Sequence, residues 1–220
     1  MGPPLLICDL DGTLVDSQPG VAEALRQACS TAGIEPSEPL DAAIIGPPLD
    51  ELLRRVTGLG AGDVLDRLRN EFTKAYDGGA CRLTAPFVGV EEMLRAVIAK
   101  GWRLALATNK RRAPTALILE SLGWQDRFAV VETVDSRPPA PRTKAQMLRD
   151  ILTVLSPSAA VYLGDTTADV EAARQVGLPC ILASWGAGPG EREPTTTFVL
   201  RPEEVVHAFA MAVTSQPTAS

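Results

Sequence analysis

The chain of 220 residues is 45% hydrophobic, enough to build a core in one sizeable domain or in a domain with a smaller companion. A formal net charge of −6 argues against nucleic acid as a partner, because its backbone rewards a basic surface. No apolar run approaches the roughly 18 residues needed to span a bilayer. The opening "MGPPLLICDLDG" lacks the basic flank of a signal peptide.

The first strand is expected over "PLLICDL" (4–10), ending on Asp9 and followed at once by Asp11 and Gly12. From 16 to 82 no strand-like run interrupts a series of helical patterns. "SQPGVAEALRQACSTAG" has Ser17 as its expected N-cap, Pro19 in its first turn and Gly33 as its stop. "PLDELLRRVTG" and "GDVLDRLRNEFTKAYDGG" follow, with Gly78-Gly79 near a return hinge. Beyond them the chain alternates. Strands are expected at 102–109, 128–135, 159–165 and 179–184, and helices at 89–101, 143–155 and 168–177. The helix at 143–155 presents Met147, Leu148, Ile151, Leu152 and Leu155 as a one-face stripe. The stretch 186–197 reads as a loop, and "PEEVVHAFAMAV" as an amphipathic helix carrying the single His207 as a surface or packing residue. The tail "TSQPTAS" reads as loose. The pattern predicts an α/β fold, a doubly wound parallel sheet with a Rossmann-like core (1–15 and 83–220), and an all-helical insertion at 16–82.

Several chemistries fall away. The cysteines Cys8, Cys29, Cys81 and Cys180 form no C-x-x-C pair, which suits free thiols in a reducing cytoplasm. None has an arginine six positions on, as a cysteine phosphatase needs; Leu14, Glu35, Phe87 and Gly186 stand there. One histidine is too few for a histidine-rich zinc site. There is no P-loop, and "GLGAGD" and "GAGPGE" do not fit G-x-G-x-x-G.

Polar residues gather instead at strand ends: Asp9 and Asp11 after the first, Thr108 and Asn109 on the second, Gly164-Asp165 on the fourth. Asp169 follows at the start of the next helix. Each has a plain structural reading as turn, helix cap or favourable helix-start charge. In a parallel sheet, however, the carboxyl ends share one edge. Acids converging there repel one another unless a cation lies between them, and an oxygen-only site suits a hard divalent ion, most simply Mg²⁺. Lys144 opens a helix, where the macrodipole disfavours a cation. Near the acids its charge would balance an ionised Asp9 and help hold a phosphate.

These residues resemble the motifs of the haloacid dehalogenase superfamily, in its phosphoglycolate phosphatase-like branch with a helical cap. "DLDGTLVDS" matches the first motif, "ATNK" the second and "GDTTADVEAAR" the fourth. "GPPLDELL" (46–53) resembles a cap segment of this branch, and "SWGAG" a late core segment. The third motif departs: many relatives carry lysine in a K-P-x-P setting, whereas "SRPPAPRTKAQML" places Arg137 before the prolines. Lys144, 21 residues ahead of Asp165, takes the lysine's role at a spacing other relatives use, with Arg137 as the alternative.

The resemblance implies a Mg²⁺-dependent phosphomonoester hydrolase with a cap domain at 16–82 that closes over the site. Asp9 would be the nucleophile and form an aspartyl-phosphate, and Asp11 the acid and then the base. Gly12, Thr108, Asn109 and Lys144 would hold the phosphoryl group. Asp9, Asp11 (through its carbonyl), Asp165 and Asp169 would serve the metal. Asp11 favours phosphoryl transfer over carbon–halogen cleavage, which needs no such acid. Arg54 and Arg55 are candidates to meet a second anionic group of the substrate. The expected partner is a small phosphorylated metabolite such as phosphoglycolate, with no nucleic acid or membrane involved, and the chain working as monomer or homodimer. Two other readings stand beside it: a sugar phosphomutase, and a protein that binds phosphate and signals without turnover.

Overall fold

The computed structural model describes residues 2–37, 39–40, 49–186 and 197–214. Strand β1 (Leu5–Cys8) is apolar and fully buried, as a strand covered on both faces of a parallel sheet must be. A two-residue strand, β2 (Val15–Asp16), leads into α1 (Gln18–Ala32), α2 (Leu49–Thr57) and α3 (Asp63–Asp77). A 3-10 turn at Ala80–Leu83 and a second short strand, β3 (Ala85–Pro86), follow.

Alternation then begins. The chain runs through α4 (Val90–Ala99), β4 (Arg103–Thr108), α5 (Arg112–Ser121), β5 (Val131–Thr133) and α6 (Lys144–Leu155). It continues with β6 (Ala160–Gly164), α7 (Thr167–Arg174), β7 (Cys180–Ala183), β8 (Thr197–Val199) and α8 (Pro202–Thr214). Six strands form one parallel sheet in the order β5-β4-β1-β6-β7-β8. The doubly wound α/β sheet is present, and among the described residues between β2 and β3 every element is helical.

Two faces of the sheet are covered differently. Leu5 and Ile7 of β1 point to one face, where Met147, Leu148 and Ile151 of α6 pack with Ala172 and Ala173 of α7. Leu152 and Leu155 complete the predicted stripe at its margin. On the other face α4 and α8 pack together, with Trp102 meeting Phe209 edge to face at 4.6 Å. His207 on α8 is exposed, as a surface histidine.

The chain divides into two compact units. One comprises Met1–Asp16, Pro86–Thr115 and Gly123–Ser220; the other comprises Ser17–Ala85 and Ala116–Leu122. In the helical unit, α3 buries Leu65, Leu68, Phe72 and Tyr76 at helical spacing, and α1 packs against it. Gly20 of α1 lies so near the Ala80 carbonyl that a Cβ would come within 2.6 Å of its oxygen.

Some local expectations change. Ser17 occupies the N-cap position of α1, but it is buried and its side chain makes no capping bond. β5 is shorter than 128–135 at both ends; after Thr133 the chain leaves the strand, and Asp135 accepts a hydrogen bond from Arg112 N–H at 2.7 Å, at the start of α5. β8 had no sequence signal, being three residues long beside the expected loop. Residues 46–48 of the cap-like segment, 187–188 of "SWGAG", most of the loop at 186–197, and 215–220 of the tail lie outside the described residues.

Ile151 is wholly buried on α6, while Val154 on the same helix is 56% exposed. Ile151→Ala is expected to cost about 2–5 kcal/mol in denaturant unfolding, and Val154→Ala to stay within about 0.5 kcal/mol.

Candidate active site

From β1 the chain builds outward to β4 and β5, then returns to the middle and builds the other way through β6. The carboxyl ends of β1 and β6 therefore flank the point where strand order reverses, where open α/β sheets bind ligands. Asp9 follows β1 directly, Asp165 follows β6, and Thr108 ends β4.

Asp169 is aimed by its helix start. It forms a capping box with Thr166: Asp169 N–H donates to Thr166 Oγ1 (3.3 Å), and Asp169 Oδ2 accepts from Thr166 N–H (3.1 Å) and hydroxyl (2.6 Å). Its other oxygen accepts from the Tyr162 hydroxyl at 2.9 Å. Gly164 leaves the room this requires, since a Cβ there would lie 2.5 Å from that of Asp169.

Lys144, the first residue of α6, sends its ammonium into this cluster. Nζ lies 2.7 Å from Asp9 Oδ1, 3.2 Å from Asp169 Oδ1 and 5.7 Å from the Tyr162 ring centre. Arg137 pairs instead with buried Glu132 and sits 3.9 Å from Asp150. The cation among the acids is Lys144.

One ammonium does not balance three carboxylates. Burial, and then repulsion from Asp169 and Asp165, raise Asp9 to about 7 against the opposing pull of Lys144. Burial and Asp169 raise Asp165 to about 6, with the Thr13 hydroxyl and Lys144 opposing. Asp169 goes the other way. Burial opposes its ionisation, but Lys144 and the bonds from Thr166 and Tyr162 outweigh it and hold the carboxyl low. Lys144 stays charged for the matching reason: desolvation works against it, and Asp9 and Asp169 prevail.

One oxygen each from Asp9, Asp165 and Asp169 lies within 4.8 Å of the others. Asp9 Oδ1 is buried with no well-aligned hydrogen bond, only the ammonium beside it. Hard, anionic oxygens short of positive charge fit a divalent cation.

The loop after β1 is a tight turn. Gly12 has φ +76°, and its N–H donates to Val15 O at 3.0 Å. A Cβ on Gly12 would lie 2.2 Å from Asp165 Oδ2, and a Cβ on Gly186 would lie 1.9 Å from Gly12 O. Thr13 donates its hydroxyl to Asp165 Oδ1 (3.0 Å), and its carbonyl accepts from Trp185 Nε1 (2.9 Å). Trp185 and Gly186 thus brace this loop.

Asp11 stands apart from the carboxylate trio, with Lys110 Nζ 3.1 Å from its Oδ1. Thr108 is buried and its hydroxyl accepts from Lys110 N–H at 3.1 Å, while Asn109 is exposed. Arg54 and Arg55 are exposed on α2.

Lys110, Thr13 and Tyr162 carried no assignment from the sequence. Lys110 could have been found, since it directly follows Thr108-Asn109. Tyr162 could not, because its contacts depend on where α6 and α7 lie against the sheet.

The carboxyl edge of this parallel sheet thus gathers paired aspartates, a buried lysine and a carboxylate trio able to take a cation. Residues 6–183 match the model of the haloacid dehalogenase-like hydrolase family, and the chain belongs to that family. It is 31% identical over 204 residues to the phosphoglycolate phosphatase of Xylella fastidiosa, covering 88% of this chain and 86% of that one. Among solved structures it is similar to the protein tyrosine kinase A of Mycobacterium tuberculosis, with TM-score 0.77 and 28% identity over 94% of this chain and 98% of that one. It is also similar to a putative β-phosphoglucomutase of Thermotoga maritima, with TM-score 0.75 and 25% identity over 96% and 99%. Within the family the chain is a phosphatase of the phosphoglycolate phosphatase-like kind.

Gly12→Ala forces both a strained φ and a clash with Asp165. It is expected to lower unfolding stability by more than about 1 kcal/mol. Gly33→Ala is the control: its φ is also positive, but a Cβ there meets nothing within 4 Å. Thermal unfolding of the two variants should show the larger loss at Gly12.

Proposed function

We propose that the protein is a Mg²⁺-dependent phosphomonoesterase that removes phosphate from a small phosphorylated metabolite of the phosphoglycolate kind, through a phosphoryl group carried on Asp9. The observation that carries this reading is the pairing of Lys144 with Asp9 at 2.7 Å beside two further carboxylates. A carboxylate so placed is a nucleophile held by charge in a buried site.

Asp9 attacks phosphorus in line and displaces the alcohol. Asp11 gives its proton to the departing oxygen, then takes a proton from the water that hydrolyses the acyl phosphate. The ion pair with Lys110 suits this second half, in which Asp11 is a carboxylate. Thr108, the backbone at Gly12 and Asn109 hold phosphoryl oxygens, and Lys144 balances the charge that develops on them. Asp9, the Asp11 carbonyl and Asp165 would hold the cation, with Asp169 beside them; when bound it would supply positive charge to the phosphoryl oxygens and favour the ionised form of Asp9.

The substrate assignment rests on similarity to phosphoglycolate phosphatases. Four cysteines outside any disulfide suit a cytoplasmic setting. A second reading, transfer to an acceptor other than water, is favoured by the likeness to the phosphoglucomutase and the tyrosine kinase.

Phosphate release from a panel of small phosphomonoesters, phosphoglycolate among them, tests the assignment. Release should require Mg²⁺ and stop with chelator. Asp9→Asn is expected to lose about 10⁴-fold or more in kcat, and Asp11→Asn about 10²–10⁴-fold. Transfer to a second metabolite without free phosphate would establish the alternative. Unchanged release by Asp9→Asn would remove Asp9 from its role.

A further inference from the structure

The segment that delivers Lys144 is anchored by charges that the proposed chemistry does not use. Glu132, in the middle of β5, is 2% exposed. Arg142 donates to its Oε2 at 2.9 Å, Arg137 donates to its Oε1, and the Ser136 hydroxyl also donates to Oε2. Arg142, with 9% of its side chain exposed, makes a second ion pair, with Asp150 on α6. Its backbone N–H donates to Val134 O at 2.8 Å, which closes the 135–141 loop. Thr143 then caps α6 through reciprocal bonds with Gln146, and Lys144 follows.

A carboxylate buried near a sheet edge costs desolvation, and apolar side chains of equal volume would often stabilise the fold as well or better. Such a network does select one geometry. The stripe of Met147, Leu148 and Ile151 sets which face of α6 meets the sheet. A stripe of helical period has related seats about 5.4 Å apart along the axis, so it fixes rotation better than axial position. Glu132 and Asp150 together hold Arg142 and so tie the second turn of α6 to the middle of β5. At the far end the tolerance is small. Lys144 meets Asp9 at 2.7 Å and Asp169 at 3.2 Å, and a misplacement of about 1 Å can cost about 10²-fold in rate.

From this juxtaposition we propose that Glu132, acting with Arg142 and Asp150, is a positioning group for Lys144. The third-motif lysine of this chain rides on a helix rather than on the loop before it. The buried network is what registers that helix against the acids. Only the kinetic arm of the test rests on the phosphatase reading.

Two measurements decide it, on Glu132→Gln and on the milder Asp150→Asn, which is made at a partly exposed residue and keeps the proposal testable if the first variant folds poorly. The first is acylation of native protein by a water-soluble N-acetyl ester, read by peptide mass spectrometry. Lys144 labelling relative to exposed Lys74 and Lys100 should rise at least about fivefold in the variants, with Lys110 unchanged. An unchanged ratio, or an equal rise at Lys110, would overturn the proposal, and neither result requires the protein to be active.

The second is a double-mutant cycle on p-nitrophenyl phosphate hydrolysis. Glu132→Gln should lower kcat about 10-fold in the native background but less than about 2-fold with Lys144→Ala present. Equal losses in both backgrounds would show a general structural role and overturn it. Absence of hydrolysis by the native protein would refute the phosphatase reading and leave the labelling result to decide this one.

Discussion

One ammonium among three carboxylates is the interaction on which the rest of this site depends. Lys144 Nζ bridges Asp9 and Asp169, and Asp165 lies within the same small volume. Remove the lysine and the cluster holds three buried acids with no internal counter-charge, an arrangement that drives carboxylates to take up protons. With it, Asp169 is held low while Asp9 and Asp165 remain elevated, which leaves a deficit of positive charge that a cation could fill.

The backbone around the cluster follows from the need to approach it closely. Gly12, Gly164 and Gly186 stand where a side chain would strike Asp165, Asp169 or the Gly12 carbonyl. The Thr13 hydroxyl and the Trp185 indole then hold the turn that these glycines permit. Two side chains and a capping box thus fix these carboxylates to the sheet. That is the preorganisation electrostatic catalysis requires, because dipoles already in place need not reorganise as charge develops.

The sequence made much of this legible, for identifiable reasons. Apolar runs ending on Asp9, Thr108 and Asp165 located three central strands, because buried parallel strands leave continuous hydrophobic signals. The stripe on α6 located that helix and its buried face. What lay beyond reading was register. β8 is too short to produce a pattern, and β5 stops after Thr133, with Asp135 turned to serve α5. Tyr162 meets Asp169, and Glu132 meets Arg142, only after strands and helices have been set side by side. The third motif shows the same limit: three cations surround the prolines, and only the fold separates Lys144 among the acids from Arg137 and Arg142 on Glu132.

The central claim is that phosphate passes through Asp9, and covalent trapping tests it most directly. A single turnover with a ³²P-labelled phosphomonoester, quenched in acid within milliseconds and mapped by peptide, should place the label on the peptide containing Asp9. The label should disappear when the reaction runs to completion before quenching. Free phosphate appearing with no protein-bound label at any time, or label on another residue, would contradict the account.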